Sequence, residues 1–400
     1  MDHYATKLWT RSFTLICWSS FFLFMTFYML ATALPLFVEN SLHGSRQQIG
    51  LAMTVFVAAT VICRPIAGRL ANRIGNRPIL LTGLILFVAT SLLYYAIPSL
   101  HMLLILRFVH GIGFGLAATA SSTAAALLVP NSRKGEGIGY FSLFMSLAMV
   151  LGPFVGLTAS EHSFTLFFAL CGLFALLALL SGILAKLPAL DRAKRKEAGS
   201  DTSWARSVFE PKAVPIALTA LVLAFAYSGI TTFLSVYADE LGLHKAASWF
   251  FVCFALMIVI PRPFTGRVFD RFGASVLIYP GLVCFTTGMV LLSQAHSSFT
   301  LLLSGGILGL GYGVLFPSYQ TLAIQAAPAS TGIAISTFFV LFDSGYGAGS
   351  YFLGLLASYV HYNNMYLCSA FLVGVSTILY YRASKISVPK DRHPAQPAEA

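Results

Sequence analysis

Four ionisable residues stand where ionisable residues are rare. Arg107 lies about six residues inside an apolar run, 101–128. A charge there costs on the order of 3 kcal/mol on membrane-insertion scales, so it must face a cavity or a partner. Glu39, at the end of the first apolar run, is the acid expected to meet it. Such a pair can lock helices together, or it can serve proton coupling or substrate contact. Asp343, in VLFDSGYGAG, is the only acid near the middle of any apolar run. Burial disfavours the ionised carboxylate, which gives this group a proton to take up and return. A charge crossing the membrane field gains about 2.3 kcal/mol per 100 mV, enough to drive a cycle in steps. The alternative is a neutral acid hydrogen-bonded to backbone or to Tyr346. His110 shares a helix face with Arg107 and Phe114 at i, i+3 and i+7 spacing. It is either a second proton carrier or a polar neighbour of Arg107.

The elements that position these groups follow from composition. Of 400 residues, 57% are hydrophobic and 10% charged, where a soluble domain carries roughly 25% charged residues. Mean hydropathy is +0.80. Runs of about 20 apolar residues, the length that crosses a bilayer core, recur along the chain. They predict an all-α integral membrane protein of twelve spans, at 13–38, 49–68, 79–97, 101–128, 137–160, 163–186, 213–237, 248–266, 275–294, 299–322, 331–359 and 364–382. The first run has no small-residue cleavage site and reads as a retained helix.

Basic residues resist translocation. With both termini cytoplasmic, all but Arg46, Lys245 and Arg107 of the 25 Lys and Arg lie inside. Arg64 is counted there with Arg69, Arg73 and Arg77, which leaves Arg107 as the one basic residue assigned to a span. The formal charge of +11 is then a topology signal with some affinity for anionic headgroups, and no nucleic-acid partner is expected. Six cysteines show neither paired nor zinc spacing. Each outer loop holds one histidine, His43, His101, His162, His244, His296 and His361, without the spacing of metal ligands. No metal is expected.

The chain repeats itself. RPIAGRLANRIG at 64–75 and RPFTGRVFDRFG at 262–273 share six of twelve positions, 198 residues apart. The same offset carries Gly111, Gly113 and Gly115 onto Gly309, Gly311 and Gly313. An even number of spans separates the copies, which is the parallel six-plus-six repeat of two-bundle transporters. The expected domains are a bundle at 1–186, a cytoplasmic linker at 187–212, a second bundle at 213–383 and a tail at 384–400.

On these motifs the chain resembles the major facilitator superfamily. The signature between spans 2 and 3 is matched by Gly68, Asn72, Arg73, Gly75 and Arg77, with Asn72 where the family has Asp. Its second copy keeps the acid, as Gly266, Asp270, Arg271 and Gly273. The resemblance implies a cytoplasmic latch at both. Leu103, Arg107, His110, Gly111 and Gly113 are similar to the family's span-4 motif. Gly139, Ala148, Gly152, Pro153, Gly156 and Leu157 in span 5 are similar to the Gly-Pro signature of proton-coupled antiporters, with Ala and Leu replacing two glycines.

Family geometry implies that spans 1, 4, 7 and 10 line a central cavity. On them lie Phe24, Tyr28, Thr32, Phe114, Tyr227, Thr231, Tyr312 and Gln320, aromatic walls with few polar handles that suit an amphipathic organic molecule. HGIGFG and LGLGYG follow no strand, and no Gly-Lys-Ser/Thr loop occurs, so neither a nucleotide cofactor nor ATP as direct energy source is expected. No nucleophile-and-base pair or catalytic carboxylate pair suggests an enzyme. The expectation is a monomeric, proton-coupled exporter of a drug or of a secreted metabolite such as a metallophore, in a bacterial inner membrane. A nutrient-uptake symporter or a non-transporting sensor of the same fold are the alternatives.

Overall fold

A computed structural model describes residues 7–130, 133–187, 209–327 and 331–387. The expected linker lies almost entirely outside these, as does most of the expected tail. The first half holds α1 (Arg11–Asn40), α2 (Arg46–Ile74), α3 (Asn76–Leu93), α4 (Leu100–Leu128), α5 (Lys134–His162) and α6 (Phe164–Leu184). The second holds α7 (Val214–Glu240), α8 (His244–Val259), α9 (Arg262–Phe272), α10 (Ser275–Ser293), α11 (Ser298–Ala326), α12 (Thr331–Tyr359) and α13 (Tyr362–Ser387). Among the described residues there is no strand. Hydropathy dictates that helices form, because lipid leaves backbone groups no other partner. Ser and Thr caps dictate where several begin: Thr10, Ser45, Ser99, Ser163 and Ser297 each accept from a first-turn N–H.

The eighth span differs from its expected form. It is two helices, α8 and α9, broken at Ile260–Pro261. Single prolines are absorbed within α1, α2, α5, α10 and α11. At the break Pro261 and Pro263 together remove two N–H donors. The equivalent segment of α2 has Cys63 in place of Pro261 and runs on unbroken.

The repeat is realised as packing. A Cβ on Gly111 would collide with the Phe56 carbonyl, and one on Gly309 with the Phe254 carbonyl. Gly113 and Gly311 sit 2.8 and 2.7 Å by the same measure from the backbone nitrogens of Phe87 and Phe285. Each pair keeps the offset of 198 in both partners. Small residues thus let α4 close on α2 and α3, and α11 on α8 and α10, in the same way. Gly75 (φ 96°) and Gly273 (φ 84°) end α2 and α9 in the region that favours glycine. The result is twelve spans in two six-helix bundles.

The bundles meet chiefly where α2 packs on α12, α5 on α8 and α1 on α7. We call the side bearing residue 7 and the α2–α3 turn the terminal face. At the opposite face Arg46 donates to the Ala357 carbonyl at 2.7 Å, pairs with Glu240 and stacks over Tyr362 at 4.4 Å. Further in, Thr54 donates to the Gly347 carbonyl at 2.7 Å. Nearer the terminal face, a Cβ on Gly68 would meet nothing within 4 Å among the described residues.

Candidate functional site

Arg107 is 1% exposed and meets no carboxylate among the described residues. Its Nε donates to the Ala52 carbonyl at 3.1 Å, Nη2 reaches Met53 Sδ at 2.9 Å, and the guanidinium lies 4.2 Å from the centre of the Phe56 ring. Nη1 has no hydrogen-bond partner among the described residues. The expected pairing with Glu39 is therefore corrected. Glu39 lies half-buried at the far end of α1, where its charged neighbours are Glu240, Asp239 and Arg46. The helix register places the two at different depths, Glu39 at the end of α1 and Arg107 two turns into α4.

His110 is fully buried. Its Nδ1 and Nε2 meet the Tyr94 and Ser91 hydroxyls at 3.1 and 3.3 Å. Two hydroxyls that can each donate or accept satisfy the ring without any charge on it.

Asp343 does have a partner, and it comes from the other bundle. Arg64 Nε lies 2.8 Å from Asp343 Oδ2. Neither atom has a hydrogen-bond partner, so this is an ion pair off hydrogen-bond alignment. Arg64 is eighteen residues into α2 and belongs to the span, which corrects its assignment to a loop and Arg107's standing as the one basic residue within a span. Its guanidinium also lies 5.6 Å from the Phe339 ring centre. Tyr346 is engaged elsewhere, its hydroxyl 2.6 Å from Thr231 Oγ1.

The expected cavity residues fall into one aromatic cluster per bundle. Phe24 meets Phe114 at 5.2 Å and Tyr28 at 6.3 Å, and Phe27, unforeseen, stacks on Phe114 at 4.9 Å. In the second bundle Tyr227 stacks on Tyr312 at 4.3 Å, and Tyr312 on Phe316 at 5.8 Å. Tyr28 of the first bundle lies near Tyr346 and Asp343 of the second. Thr32 offers no polar handle, since its buried hydroxyl donates to the Tyr28 carbonyl of its own helix. Gln320 is half-buried on α11.

The family model of the Major Facilitator Superfamily matches residues 16–350 and 244–399. The chain belongs to this superfamily. It is similar to an uncharacterized MFS-type transporter of Escherichia coli K12, 26% identical over 90% of each chain. It is also similar to multidrug resistance protein 1 of Bacillus subtilis, 26% identical over 78% of this chain and 82% of that one. Among solved structures, a bacterial homologue of the lysosomal transporter Spinster, inward-facing and unoccupied, matches with TM-score 0.79 at 14% identity, covering 99% and 100% of the two chains. The human organic anion transporter MFSD10 matches with TM-score 0.68 at 18% identity, covering 92% and 98%. These last two likenesses show the fold.

The superfamily's signature segments sit as follows. Asn72, Arg73, Gly266 and Asp270 are helical, and the side chains of the expected latch at Asn72, Arg73 and Asp270 lie outside the described residues. Arg77 donates to the Ile183 carbonyl at 3.3 Å, capping the last turn of α6. Arg271 lies over Phe272 at 5.2 Å. In α5, Gly139 is helical, and Gly152 and Gly156 lie against Tyr28 and Met29 of α1, with Pro153 between them inside the helix. That segment packs α5 onto α1. Among the described residues no three His, Cys, Asp or Glu side chains are placed to hold a metal.

Proposed function

We propose that this superfamily transporter is proton-coupled and exports a small amphipathic organic molecule, a drug or a secreted metabolite such as a metallophore, by alternating access. The observation that carries the reading is the Arg64–Asp343 pair between bundles. Arginine stays charged in proteins, so the pair is cancelled only by a proton on Asp343. Protonation loosens the seam between α2 and α12, and deprotonation draws it together. Tyr28 of α1 and Tyr346 are the other ionisable groups near this carboxyl. The aromatic clusters suit the apolar body of the cargo.

Export is supported by the likeness of the α5 segment to the antiporter signature and by the Bacillus subtilis relative, whose name is that of a multidrug resistance protein. In this reading the terminal face is cytoplasmic, as the Lys and Arg distribution favours. The membrane is a bacterial inner membrane, the monomer is the working unit, and the proton gradient replaces any cofactor or catalytic step. The test is purified protein in liposomes under an imposed pH gradient. A transported amphiphile should trigger proton movement in the wild type and none in Asp343→Asn. Coupling that survives Asp343→Asn, or the absence of any substrate-triggered proton movement, overturns the reading.

A further inference from the structure

Among the described side chains, the span interior holds more positive than negative charge. Arg64 and Asp343 cancel each other across the seam, whereas Arg107 is buried among a carbonyl, a thioether, an aromatic ring and the Tyr94 hydroxyl, with no carboxylate beside it among the described residues. A guanidinium so placed is solvated by dipoles but not neutralised, and its Nη1 is left without a partner. The Tyr94 hydroxyl is shared between Arg107 and His110, whose Nδ1 it meets at 3.1 Å, and being neutral it does not cancel the charge.

Arg107 also lines a void between the bundles, bounded by Pro35 of α1, Ala52 and Met53 of α2 and Thr232 of α7. Its volume is about 10 Å³, room for about one water. The Thr232 wall belongs to the second bundle and the rest to the first, so the void widens when the bundles part. The guanidinium lies over Phe56, which with Phe27 and Phe114 forms a wall of rings stacked or tilted against one another. A fixed guanidinium with a free amino group next to an aromatic wall is a receptor for a carboxylate or phosphonate carried on an apolar body.

We propose that Arg107 receives an anionic group of the cargo, and that the cargo is therefore an organic anion. The inference rests on the transport reading above and names its substrate class. It leaves Asp343 to the proton, so anion and proton use separate sites. An anion leaving as a proton enters moves charge in one sense, so inside-negative potential drives the exchange.

Pyrenebutyrate, its uncharged methyl ester and tetraphenylphosphonium serve as probes, with sodium chloride against sodium gluconate as the inorganic arm. Binding is read as the rise in melting temperature of the purified protein and as quenching of pyrene fluorescence. Pyrenebutyrate should bind the wild type, the ester and the cation weakly or not at all. Arg107→Gln should weaken pyrenebutyrate binding about 30-fold or more, the range for losing one partner of a desolvated charge pair. Arg107→Lys should restore part of that loss, which keeps the test decisive if the Gln variant folds poorly. Equal binding of ester and acid, preference for the cation, undiminished acid binding in Arg107→Gln, or stabilisation by chloride alone overturns the proposal. Arg107-dependent binding of the acid without proton movement in liposomes would sink the transport reading and leave the anion site standing. Proton movement driven by the ester alone would do the reverse.

Discussion

At the scale of single residues, the Arg64–Asp343 pair is a partly buried one, its side chains 22% and 17% exposed. Removing one partner strands the other in the seam. Arg64→Gln or Asp343→Asn alone should cost less than the roughly 3 to 5 kcal/mol of a fully buried pair, because solvent reaches the stranded group, whereas the double change to Gln and Asn should cost less still. Thermal melting of the four proteins gives the coupling directly as a double-mutant cycle. Additive losses would mean that the 2.8 Å contact contributes nothing to the seam. Asp343 stood out in the sequence because an acid inside an apolar run is costly. Arg64 did not, because four arginines within fourteen residues read as loop charge, although Arg64 falls inside the run 49–68. Which acid faces which arginine depends on helix rotation and bundle docking, and neither is written in hydropathy. The same gap explains the mistaken pairing of Arg107 with Glu39.

At the scale of elements, the repeat offset was the most legible feature, because glycines that admit a neighbouring backbone must recur wherever the packing recurs. Gly309→Val should destabilise by about 1 to 3 kcal/mol, since its side chain meets the Phe254 backbone and no rotamer relieves that overlap. Gly111→Val should behave alike against Phe56. Gly68→Ala is the contrast. A Cβ there meets nothing, and replacing Gly by Ala inside a helix gains about 0.5 to 1 kcal/mol. Its melting temperature should therefore hold or rise. If Gly68 makes its latch contact only in the other state, the same variant should lose transport while remaining fully folded. Normal transport by Gly68→Ala would remove close approach at that position from the cycle. The break between α8 and α9 was not legible, because proline is tolerated inside five other helices of this chain. Only the spacing of Pro261 and Pro263 distinguishes this site.

At the scale of the whole molecule, alternating access requires the seam between α2 and α12 to part, and the described contacts fix where. It runs from Arg46 against Ala357 and Glu240, through Thr54 against Gly347, to Arg64 against Asp343. Rocking one rigid bundle about the other must lengthen these contacts together, because helices packed at this density do not stretch locally. A covalent bridge inside the seam therefore traps one state. Val57 and Gly347 are suited to it: a Cβ on Gly347 would lie 3.2 Å from that of Val57, near the roughly 3.8 Å mean of disulfides. With the six native cysteines replaced, Val57→Cys with Gly347→Cys should cross-link on mild oxidation, stop transport in liposomes, and regain it on reduction. The void beside Arg107 has walls on both bundles, so the same bridge should also weaken pyrenebutyrate binding. A cross-linked protein that still turns over would show that α2 and α12 stay together throughout the cycle, and that the two bundles exchange access by some movement other than parting here.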